Sequence, residues 1–494
     1  MLNINNNTAN LKREILVRIA KLQLEGRLEE GVHFIPRQMV PRDAKPLRCC
    51  IFHDREIIRM RTIARMGISV ENIDEERTLA SFAKEALERK KPTWPMLTVL
   101  YEACNACVKT HYMVTNACQG CDARPCMMNC PKDAIHVNHH AHIDEKSCIN
   151  CGKCMENCPY HAIIKIPVPC EEACPVGAIS KDAEGHEKID YHKCIFCGNC
   201  MRECPFGAMM GKSQLVDVIK HIMTKEQKVV ALYAPAIAAQ FKAVPGQLES
   251  ALKKAGFDEV LEVAIGADIC ADNEAREFEE RMARGDKMMT TSCCPAYVRA
   301  VRRHVPALAE CISETKTPMH YTAEIAKKDF PNCTTVFIGP CLAKRREGFD
   351  DETVDYVLST LDLESLLIAK EIDVSKMPVE EKSQKNNKRI PTVSGRNFAR
   401  SGGVAEAVEI RLKDKSILKK AKINGLTKSG MKMLNAYGMM NSGKIPTKPD
   451  TPNLIEVMAC EGGCIGGPSI IKNVKEAEAQ LEKYVEAGSQ TKGA

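Results

Sequence analysis

The stretch CINCGKCMENCP, residues 148–159, places four cysteines at a spacing that returns in CIFCGNCMRECP, residues 194–205. Both stretches follow the pattern C-x2-C-x2-C-x3-C-P. A third stretch, CQGCDARPCMMNCP at 118–131, has the same order of cysteines and a wider middle gap. Thiolates are soft metal ligands, so three closely spaced sets of them indicate a repeated metal-binding unit.

The spacing is typical of bacterial ferredoxins, in which three thiolates hold one 4Fe-4S cubane and the fourth ligates the neighbouring cluster. Zinc ribbons are the alternative, but they use separated CxxC pairs instead of three close cysteines and a fourth before proline. We therefore expect 4Fe-4S clusters. The candidate ligands in the three runs are Cys118, Cys121, Cys126, Cys130, Cys148, Cys151, Cys154, Cys158, Cys194, Cys197, Cys200 and Cys204.

Ligand exchange between neighbouring runs predicts two mixed clusters. In the first, Cys158 joins Cys118, Cys121 and Cys126. In the second, Cys130 joins Cys148, Cys151 and Cys154.

Four further cysteines in this region are Cys104 and Cys107, a CxxC pair, and Cys170 and Cys174 in CEEACP. The region resembles the four-cluster ferredoxin-like subunits of bacterial oxidoreductases. That resemblance implies that Cys174 completes the cluster of Cys194, Cys197 and Cys200, and that Cys204 joins Cys104, Cys107 and Cys170. The alternative leaves the CxxC pair structural, which gives three accessory clusters instead of four.

The bulk composition limits the class of protein. A chain of 494 residues exceeds one ordinary core, so two or three domains are expected. The 26 cysteines come without an evident export signal or membrane span, which favours free thiolates in the cytoplasm over disulfides. The net charge of +6 identifies no nucleic-acid partner, and a mildly basic protein suits an acidic electron carrier.

The composition and motifs of the sequence divide it into three regions. Residues 1–93 predict a helical segment of packing or docking role, with Asn7 or Thr8 capping its first helix. Residues 94–215 form the cysteine-rich, polyferredoxin-like region. Residues 216–494 alternate apolar runs with amphipathic stretches, which predicts an α/β architecture with a largely parallel sheet.

Several of the apolar runs in the last region end at a cysteine: TSCCPAY at 291–297, GPCLAKRRE at 339–347 and EVMACEGGCIGG at 456–467. Ligands of open α/β sheets gather beyond the carboxyl ends of strands, so these cysteines are expected to converge on one site. Cys460 and Cys464, with Gly462 and Gly463 between them, can face one cluster. The glycines allow close backbone approach to a bulky inorganic group.

The three motifs, in this order and behind a ferredoxin region, resemble the signatures of the FeFe-hydrogenases over residues from about 215 to 485. The resemblance implies an α+β ferredoxin-like multi-cluster region followed by a two-lobed α/β catalytic domain. It also implies the H-cluster, a 4Fe-4S cubane joined to a two-iron unit that carries carbonyl, cyanide and an aza-dithiolate. The implied cubane ligands are Cys294, Cys341, Cys460 and Cys464, with Cys464 as the bridge.

The resemblance leaves Cys293 unbound and makes it the group that passes protons to and from the site. A buried thiol beside the cluster is suited to general acid–base work, whereas a spare cysteine is ordinarily a small buried hydrophobe. Glu274, Glu277 and Arg281 share one helical face by their spacing. As isolated features they are surface charges; the resemblance aligns them, together with Ser313, with the proton path of the family.

Other positions are implied to contact the two-iron unit. Lys344 corresponds to the lysine that hydrogen-bonds a cyanide. Ala234 and Pro235 correspond to the backbone contacts of the other cyanide. Thr317 and Met458 match a polar and a thioether position around the unit.

Four residues depart from the commonest family pattern and resemble the group B branch: Ala296, Tyr297, Met319 and Gly339. Because groups around a metal tune it, these departures bear on rate and catalytic bias.

The sequence thus predicts an iron hydrogenase that reversibly reduces protons to H2, with a ferredoxin or flavodoxin as electron carrier and hydrogenase maturation proteins as further partners. Two alternatives remain. One is a slow H2 sensor; the other is a non-catalytic iron-sulfur assembly protein, a class that lacks the free cysteine and the cyanide-binding lysine. Cys293 and Lys344 favour catalysis.

Overall fold

The computed structural model describes residues 6–104, 107, 109–379 and 390–490. The first region is helical, as its periodicity predicts. Its helices are α1 Asn7–Leu24, α2 Leu28–Gly31, α3 Ile35–Met39, α4 Ile51–Arg65 and α5 Leu79–Glu88. The cap prediction is wrong by one residue, because Asn6 has the extended backbone of a cap and its side chain accepts a hydrogen bond from Ala9 N at 2.9 Å.

The cysteine-rich region consists of short antiparallel strand pairs and single-turn helices. Its strands are β1 Leu97–Val99, β2 His111–Val114, β3 Ile135–Val137, β4 Ala141–Ile143, β5 Ile163–Ile166, β6 Ile179–Lys181, β7 Glu187–Ile189 and β8 Met209–Gly211. Its helices are α6 Tyr101–Cys104, α7 Pro125–Met128, α8 Lys153–Glu156, α9 Pro169–Ala173 and α10 Asn199–Glu203. The pairs are β1 with β8, β2 with β5, β3 with β4 and β6 with β7. Such small layers bury little apolar area, and cysteines occupy much of their cores.

The last region is built on two parallel sheets. Its strands are β9 Val229–Tyr233, β10 Glu259–Glu262, β11 Met289–Thr290, β12 Thr334–Ile338, β13 Tyr356–Leu358, β14 Lys420–Asn424 and β15 Leu454–Met458. Within the described residues one sheet has the order β10-β9-β12-β13 and the other the order β11-β15-β14. Strands β9, β12 and β15 are fully buried and mostly apolar, as parallel strands covered on both faces require, although β12 includes Thr334 and Thr335 and β15 includes Glu456.

Helices cover both sheets. They are α11 Leu215–Thr224, α12 Pro235–Ala238, α13 Gln247–Ala255, α14 Ala264–Arg284, α15 Pro295–His304, α16 Pro318–Asp329, α17 Ala343–Asp350, α18 Thr360–Ala369, α19 Val393–Asn397, α20 Gly403–Arg411, α21 Lys428–Asn441 and α22 Val474–Gln490. Among the described residues, no helix combines the length and apolar character needed to cross a bilayer.

The first region packs onto the other two. Ile15, Leu16 and Ile19 of α1 are fully buried, and α1 packs on α18, α11 and α4. Arg61 and Arg65 of α4 donate hydrogen bonds to the carbonyls of Phe206 and Gly211, next to the last cysteine run. The N-terminal helices therefore join the cysteine-rich region to the α/β region.

Candidate active site and cluster sites

The cysteines of the α/β region meet at one cavity, which we call the central cavity. It lies where the carboxyl ends of β9, β12, β11 and β15 face one another, and its volume is about 90 Å³. Its walls include Ala234, Pro235, Cys293, Cys294, Ala296, Met319, Phe337, Cys341, Lys344, Phe398, Met458, Cys460, Gly463 and Cys464. Strand ends of both sheets thus bring the three motifs together, as expected from the parallel topology.

Four thiols of this cavity are the predicted ligands of a cubane. Cys294 precedes α15, Cys341 follows β12, Cys460 follows β15, and Cys464 begins a short 3₁₀ helix that ends at Gly466. Burial, followed by the charges of neighbouring thiols, raises the pKa of Cys341 and of Cys464 to about 12. Crowded, buried thiols are costly to ionise on their own, and a cationic metal centre removes that cost. The donor set therefore fits an iron-sulfur group.

Gly463 has φ of +84°, and a Cβ at this position would lie 2.6 Å from the backbone nitrogen of Ser401. The glycine allows the loop of Cys460 and Cys464 to pack against the backbone of residues 400–401. The structure therefore shows a close contact between this loop and residues 400–401 at the cavity wall. The sequence analysis had assigned the glycines a different role, the close approach of backbone to a cofactor.

Cys293 lines the same cavity beside Cys294. Burial raises the pKa of Cys293 well above its ordinary value, and the carboxyl of Glu274 raises it further. The thiol therefore keeps its proton at neutral pH. A neutral thiol next to a buried carboxyl is arranged for proton exchange.

Glu274 of α14 is fully buried. Its Oε1 accepts a hydrogen bond from Ser292 N at 3.1 Å, whereas Oε2 has no hydrogen-bond partner among the described residues. Burial raises the pKa of Glu274 to about 8. A buried carboxyl with one unpaired oxygen and a pKa near neutrality is suited to take up and release a proton.

The pKa of Glu274 predicts a pH-dependent stability. From its ordinary value of 4.5 up to about 8, the folded protein keeps a proton that the unfolded chain has released, so the free energy of unfolding falls as pH rises through this window. Glu274→Gln should abolish this loss, which is on the order of a few kcal/mol. Melting temperatures at pH 5 and pH 9 check it, with Glu280→Gln on the exposed face of the same helix as control. Parallel pH profiles for wild type and Glu274→Gln would contradict the assignment.

Glu277 lies one turn further along α14 and faces outward. Its carboxylate accepts hydrogen bonds from Ser313 Oγ at 2.6 Å, from Arg281 Nε at 2.8 Å and from the backbone nitrogen of Glu314. The Arg281 guanidinium is anchored by the carbonyls of Glu310 and Ile312. The side chain of Glu314 is 91% exposed. Ser313, Glu277 and Arg281 thus form a hydrogen-bonded row that ends at the exposed Glu314. Glu274, the fourth residue assigned to the proton path, lies one turn away on α14, and its hydrogen bond goes to Ser292 N.

Lys344 of α17 is buried, lines the central cavity and forms an ion pair with Glu347 at 2.7 Å. Burial lowers the pKa of Lys344, but Glu347 and the thiols of Cys341 and Cys293 outweigh burial and hold it above its usual value. The cation is therefore fixed at the cavity wall. Thr317 donates a hydrogen bond to the same Glu347 and is not among the residues that line the cavity, so its proximity to the cofactor stays a prediction.

The departures from the commonest family pattern are placed differently. Ala296 and Met319 line the central cavity. Tyr297 is buried beneath it, where its hydroxyl donates to Thr290 Oγ1 at 2.6 Å. A Cβ at Gly339 would lie 2.5 Å from the Phe337 ring, so the ring takes the space of a side chain at 339 and itself reaches the cavity.

A smaller cavity lies in the first half of the cysteine-rich region. Its lining includes the four thiols predicted to share one cubane: Cys118, Cys121, Cys126 and Cys158. The structure thus brings Cys158 to the preceding run across the β2–β5 pair. For the partner set, burial raises the pKa of Cys154, and the charges of Cys148 and Cys151 raise it as well.

The exchange of ligands predicts that variants in different runs lose the same cluster. Cys126→Ser and Cys158→Ser should each remove about four iron atoms and the same electron paramagnetic resonance signal. Cys50→Ser, a cysteine outside the runs, is the control. Loss of distinct signals in the two variants would show that each run closes its own cubane.

The second half of the cysteine-rich region groups its thiols in two sets. Burial raises the pKa of Cys197 to about 12, with Cys194 and Cys174 as further causes. Burial also raises the pKa of Cys170, followed among the thiols by Cys204, Cys104 and Cys107. These neighbouring charges agree with the predicted sets, in which Cys174 joins Cys194, Cys197 and Cys200, and Cys204 joins Cys104, Cys107 and Cys170.

Cys197 also lines the central cavity, which places the last cysteine run against the catalytic motifs. Gly198 has φ of +79°, and a Cβ there would lie 2.5 Å from Pro468. Arg202 donates a hydrogen bond to Gly466 O at 3.2 Å. The last accessory cluster would adjoin the central cavity.

Residues that sequence reasoning missed are Glu347, Phe337 and Ser292. Glu347 stands three residues after Lys344, and that i,i+3 spacing was a usable signal. Phe337 reaches the cavity only because Gly339 has no side chain, which no local pattern reveals. Ser292 acts through its backbone nitrogen, so its side-chain type carries no signal.

Comparisons with known proteins agree with this arrangement. The family described as iron only hydrogenase large subunit, C-terminal domain, matches residues 227–468. Two 4Fe-4S binding domains match residues 140–163 and 187–210.

The similar proteins include hydrogenases and an iron-sulfur cluster assembly factor. Iron hydrogenase 1 of Clostridium pasteurianum is 28% identical over 70% of this chain and 67% of its own length. The periplasmic Fe hydrogenase large subunit of Nitratidesulfovibrio vulgaris is 28% identical over 72% of this chain and 93% of its own. The cytosolic Fe-S cluster assembly factor NAR1 of Yarrowia lipolytica is 23% identical over 53% of this chain and 70% of its own length. Residues 227–468, which hold the converging cysteine motifs, therefore belong to the iron-only hydrogenase large-subunit domain family, and residues 140–163 and 187–210 are 4Fe-4S binding domains.

Proposed function

We propose that the protein is an FeFe-hydrogenase that reversibly reduces protons to H2 with electrons passed through 4Fe-4S clusters. One observation carries the proposal: the central cavity combines four thiols from three motifs with a fifth, Cys293, that adjoins the buried Glu274. A site that only stored a cluster would have no use for a spare thiol backed by a carboxyl with an unpaired oxygen.

Cys294, Cys341, Cys460 and Cys464 would hold the cubane of an H-cluster, and Cys464 would bridge to its two-iron unit. When bound, the two-iron unit supplies the metal centre at which two protons and two electrons become H2. Lys344 would fix an anionic ligand of the unit, while Ala234, Pro235 and Met458 shape the apolar wall around it. Phe337, Phe398 and Met319 keep water from the cavity.

The proton steps belong to residues of this chain. The Cys293 thiol gives its proton toward the cavity and regains one from Glu274, whose pKa of about 8 allows both forms near neutral pH. Glu274 is reprotonated from the side of Ser313 and Glu277. Arg281 holds the Glu277 carboxylate in place at 2.8 Å, and Glu314 opens the row to solvent.

Electrons would enter through three to four accessory clusters in residues 94–215. The set of Cys194, Cys197, Cys200 and Cys174 adjoins the central cavity, and the set of Cys118, Cys121, Cys126 and Cys158 is the candidate outer end. We propose a ferredoxin or flavodoxin as the electron carrier, hydrogenase maturation proteins as assembly partners, and a role in anaerobic metabolism. The 26 free cysteines support a cytoplasmic location. The two parallel sheets would be the two lobes of the catalytic domain.

The second candidate function is iron-sulfur cluster assembly, which the similarity to NAR1 supports. That function needs cluster binding alone. The buried Lys344 and Cys293 at the central cavity favour the hydrogenase. A slow H2 sensor would have the same site and differ in rate.

Film-electrode voltammetry on the protein matured with the two-iron unit tests the proposal. We expect a catalytic current for proton reduction and H2 oxidation that Cys464→Ala abolishes. An assembly protein would give only the non-catalytic waves of its clusters, and a sensor would give a current close to that baseline.

A further inference from the structure

Two adjacent cysteines lie at the surface just before α4 and outside the proposed cluster sets, and we call them the surface thiol pair. The cysteines that belong to none of the proposed cluster sets are Cys49, Cys50, Cys270, Cys293, Cys311 and Cys333. The last four are buried or line the central cavity, whereas Cys49 is exposed and Cys50 is half-buried. Among the described thiols outside the cluster sets, these two are therefore the ones that a molecule in solution can reach.

The loop that carries the pair is folded onto the first turn of α4. Asp54 is buried, and its carboxylate accepts hydrogen bonds from Leu47 N at 2.7 Å and from Arg48 Nη1 at 3.1 Å. The backbone nitrogen of Asp54 donates to Cys50 O at 3.2 Å. These bonds hold residues 47–50 against the start of the helix, where the sulfur atoms of Cys49 and Cys50 are 3.9 Å apart.

Cys50 is the thiol that ionises more easily. It stands at the cap position of α4, with an extended backbone of φ −163°. The backbone N–H of His53 lowers the pKa of Cys50, and that of Phe52 lowers it further, although burial opposes both. Cysteines at helix N-termini commonly have lowered pKa values, and the thiolate is the reactive form. Cys50 is therefore suited to act as a nucleophile.

Cys49 is the partner that keeps its proton. Its thiol donates a hydrogen bond to Cys50 Sγ, and this bond raises the pKa of Cys49. Cys49 Sγ also lies 3.2 Å from His53 Nδ1, while His53 Nε2 lies 3.3 Å from Glu102 O. A carbonyl oxygen can only accept, so Nε2 carries the proton of the neutral ring and Nδ1 can accept one. The second thiol thus stands beside a base.

We propose that the surface thiol pair is a thiol–disulfide exchange site that takes low-molecular-weight disulfides. The Cys50 thiolate attacks one sulfur of the disulfide. A bond from Cys50 to that sulfur forms, the disulfide bond breaks, and the other half leaves as a thiolate.

The second exchange belongs to Cys49. Once Cys50 has lost its charge, the hydrogen bond that kept Cys49 protonated is lost as well, so Cys49 passes its proton to His53 Nδ1 and attacks Cys50 Sγ. The Cys49–Cys50 bond forms and the remaining half leaves as a second thiolate. Two protein thiols are thereby oxidised, and one disulfide is reduced to two thiols.

The site is separate from the central cavity and from the proposed hydrogenase activity. Leu47 and Phe52 on either side of the pair are 69% and 71% exposed, so the approach to the sulfur atoms is open and partly apolar. Glu102, whose carbonyl orients the His53 ring, belongs to α6, and α6 ends at Cys104. The pair therefore lies one hydrogen bond from the segment that carries a proposed ligand of the fourth cluster.

Anaerobic incubation of the cluster-loaded protein with oxidised glutathione, followed by alkylation of the remaining thiols and peptide mass spectrometry, tests the proposal. In the wild type we expect the peptide with residues 49–50 to lose two hydrogens and both halves of the glutathione disulfide to appear as free thiols. Cys49→Ser should stop at a glutathione adduct on Cys50, and His53→Gln should accumulate the same adduct because glutamine takes up no proton. Cys50→Ser should react roughly tenfold or more slowly than the wild type.

Two controls keep the test independent of folding. Serine is a preferred residue at a helix cap, so Cys50→Ser keeps the start of α4, and its iron content checks that the protein is intact. Cys333→Ser removes a buried thiol outside the pair and should react as the wild type does.

Absence of both the adduct and the disulfide at residues 49–50 of the wild type would overturn the proposal. Equal rates in Cys50→Ser and the wild type would also overturn it, because the reaction would then occur at other cysteines. A glutathione adduct that persists in the wild type would contradict the role of Cys49.

Discussion

Replacing Cys293 with serine should lower H2 turnover by about a hundredfold or more, while the iron content stays that of the wild type. Serine keeps nearly the same shape, but its hydroxyl is a far weaker acid than a thiol. In the proposed mechanism the Cys293 thiol passes protons between Glu274 and the central cavity. The serine variant therefore lacks the group that delivers protons to the site. Turnover with a reduced low-potential donor and iron analysis check the two halves of the prediction.

Cys333→Ser is the matched control. Cys333 is also buried in the α/β region, where its thiol contacts the Ala326 carbonyl and lies outside the central cavity. We expect this variant to keep most of its turnover. Near-normal turnover in Cys293→Ser would contradict the proton-transfer role of Cys293. Equal losses of turnover in the two variants would indicate general destabilisation.

Glu277→Gln should reduce turnover by roughly 100-fold, again with iron retained. Glutamine preserves the size of the side chain and can still accept from Ser313 Oγ and the Glu314 backbone nitrogen. It has no proton to give at neutral pH, and it loses the ion pair that holds Arg281. The proposed proton route from Glu274 to solvent is thereby interrupted at its outer half.

Glu280→Gln removes an exposed carboxylate three residues along the same helix and should leave turnover unchanged. A kinetic solvent isotope effect separates a proton-transfer defect from a structural one, because only the former makes proton delivery rate-limiting. If Glu277→Gln turned over as the wild type does, protons would reach Glu274 by another route.

The cysteine framework could be predicted because spacing alone reports it. A C-x2-C-x2-C run fits one cubane whatever surrounds it, and the gathering of Cys158 with Cys118 follows from the ferredoxin repeat. The parallel strands could be predicted for a similar reason, because a strand buried on both faces is mostly apolar, as β9 is throughout. β14 escaped the sequence analysis, since only Ile423 of that exposed edge strand is buried.

Contacts between distant segments could not be predicted. Nothing near Thr317 in the sequence indicates that its hydroxyl donates a hydrogen bond to Glu347. Phe337 became a cavity residue through the absence of a side chain at Gly339.

Infrared spectroscopy of the protein matured with the two-iron unit tests the central claim most directly, because iron-bound carbonyl and cyanide absorb where proteins do not. We predict sharp bands from both ligands in the wild type, their loss in Cys464→Ala, and a shift of the cyanide bands in Lys344→Gln. A wild-type protein with its 4Fe-4S clusters intact and no carbonyl or cyanide bands would contradict the hydrogenase account and favour an assembly function.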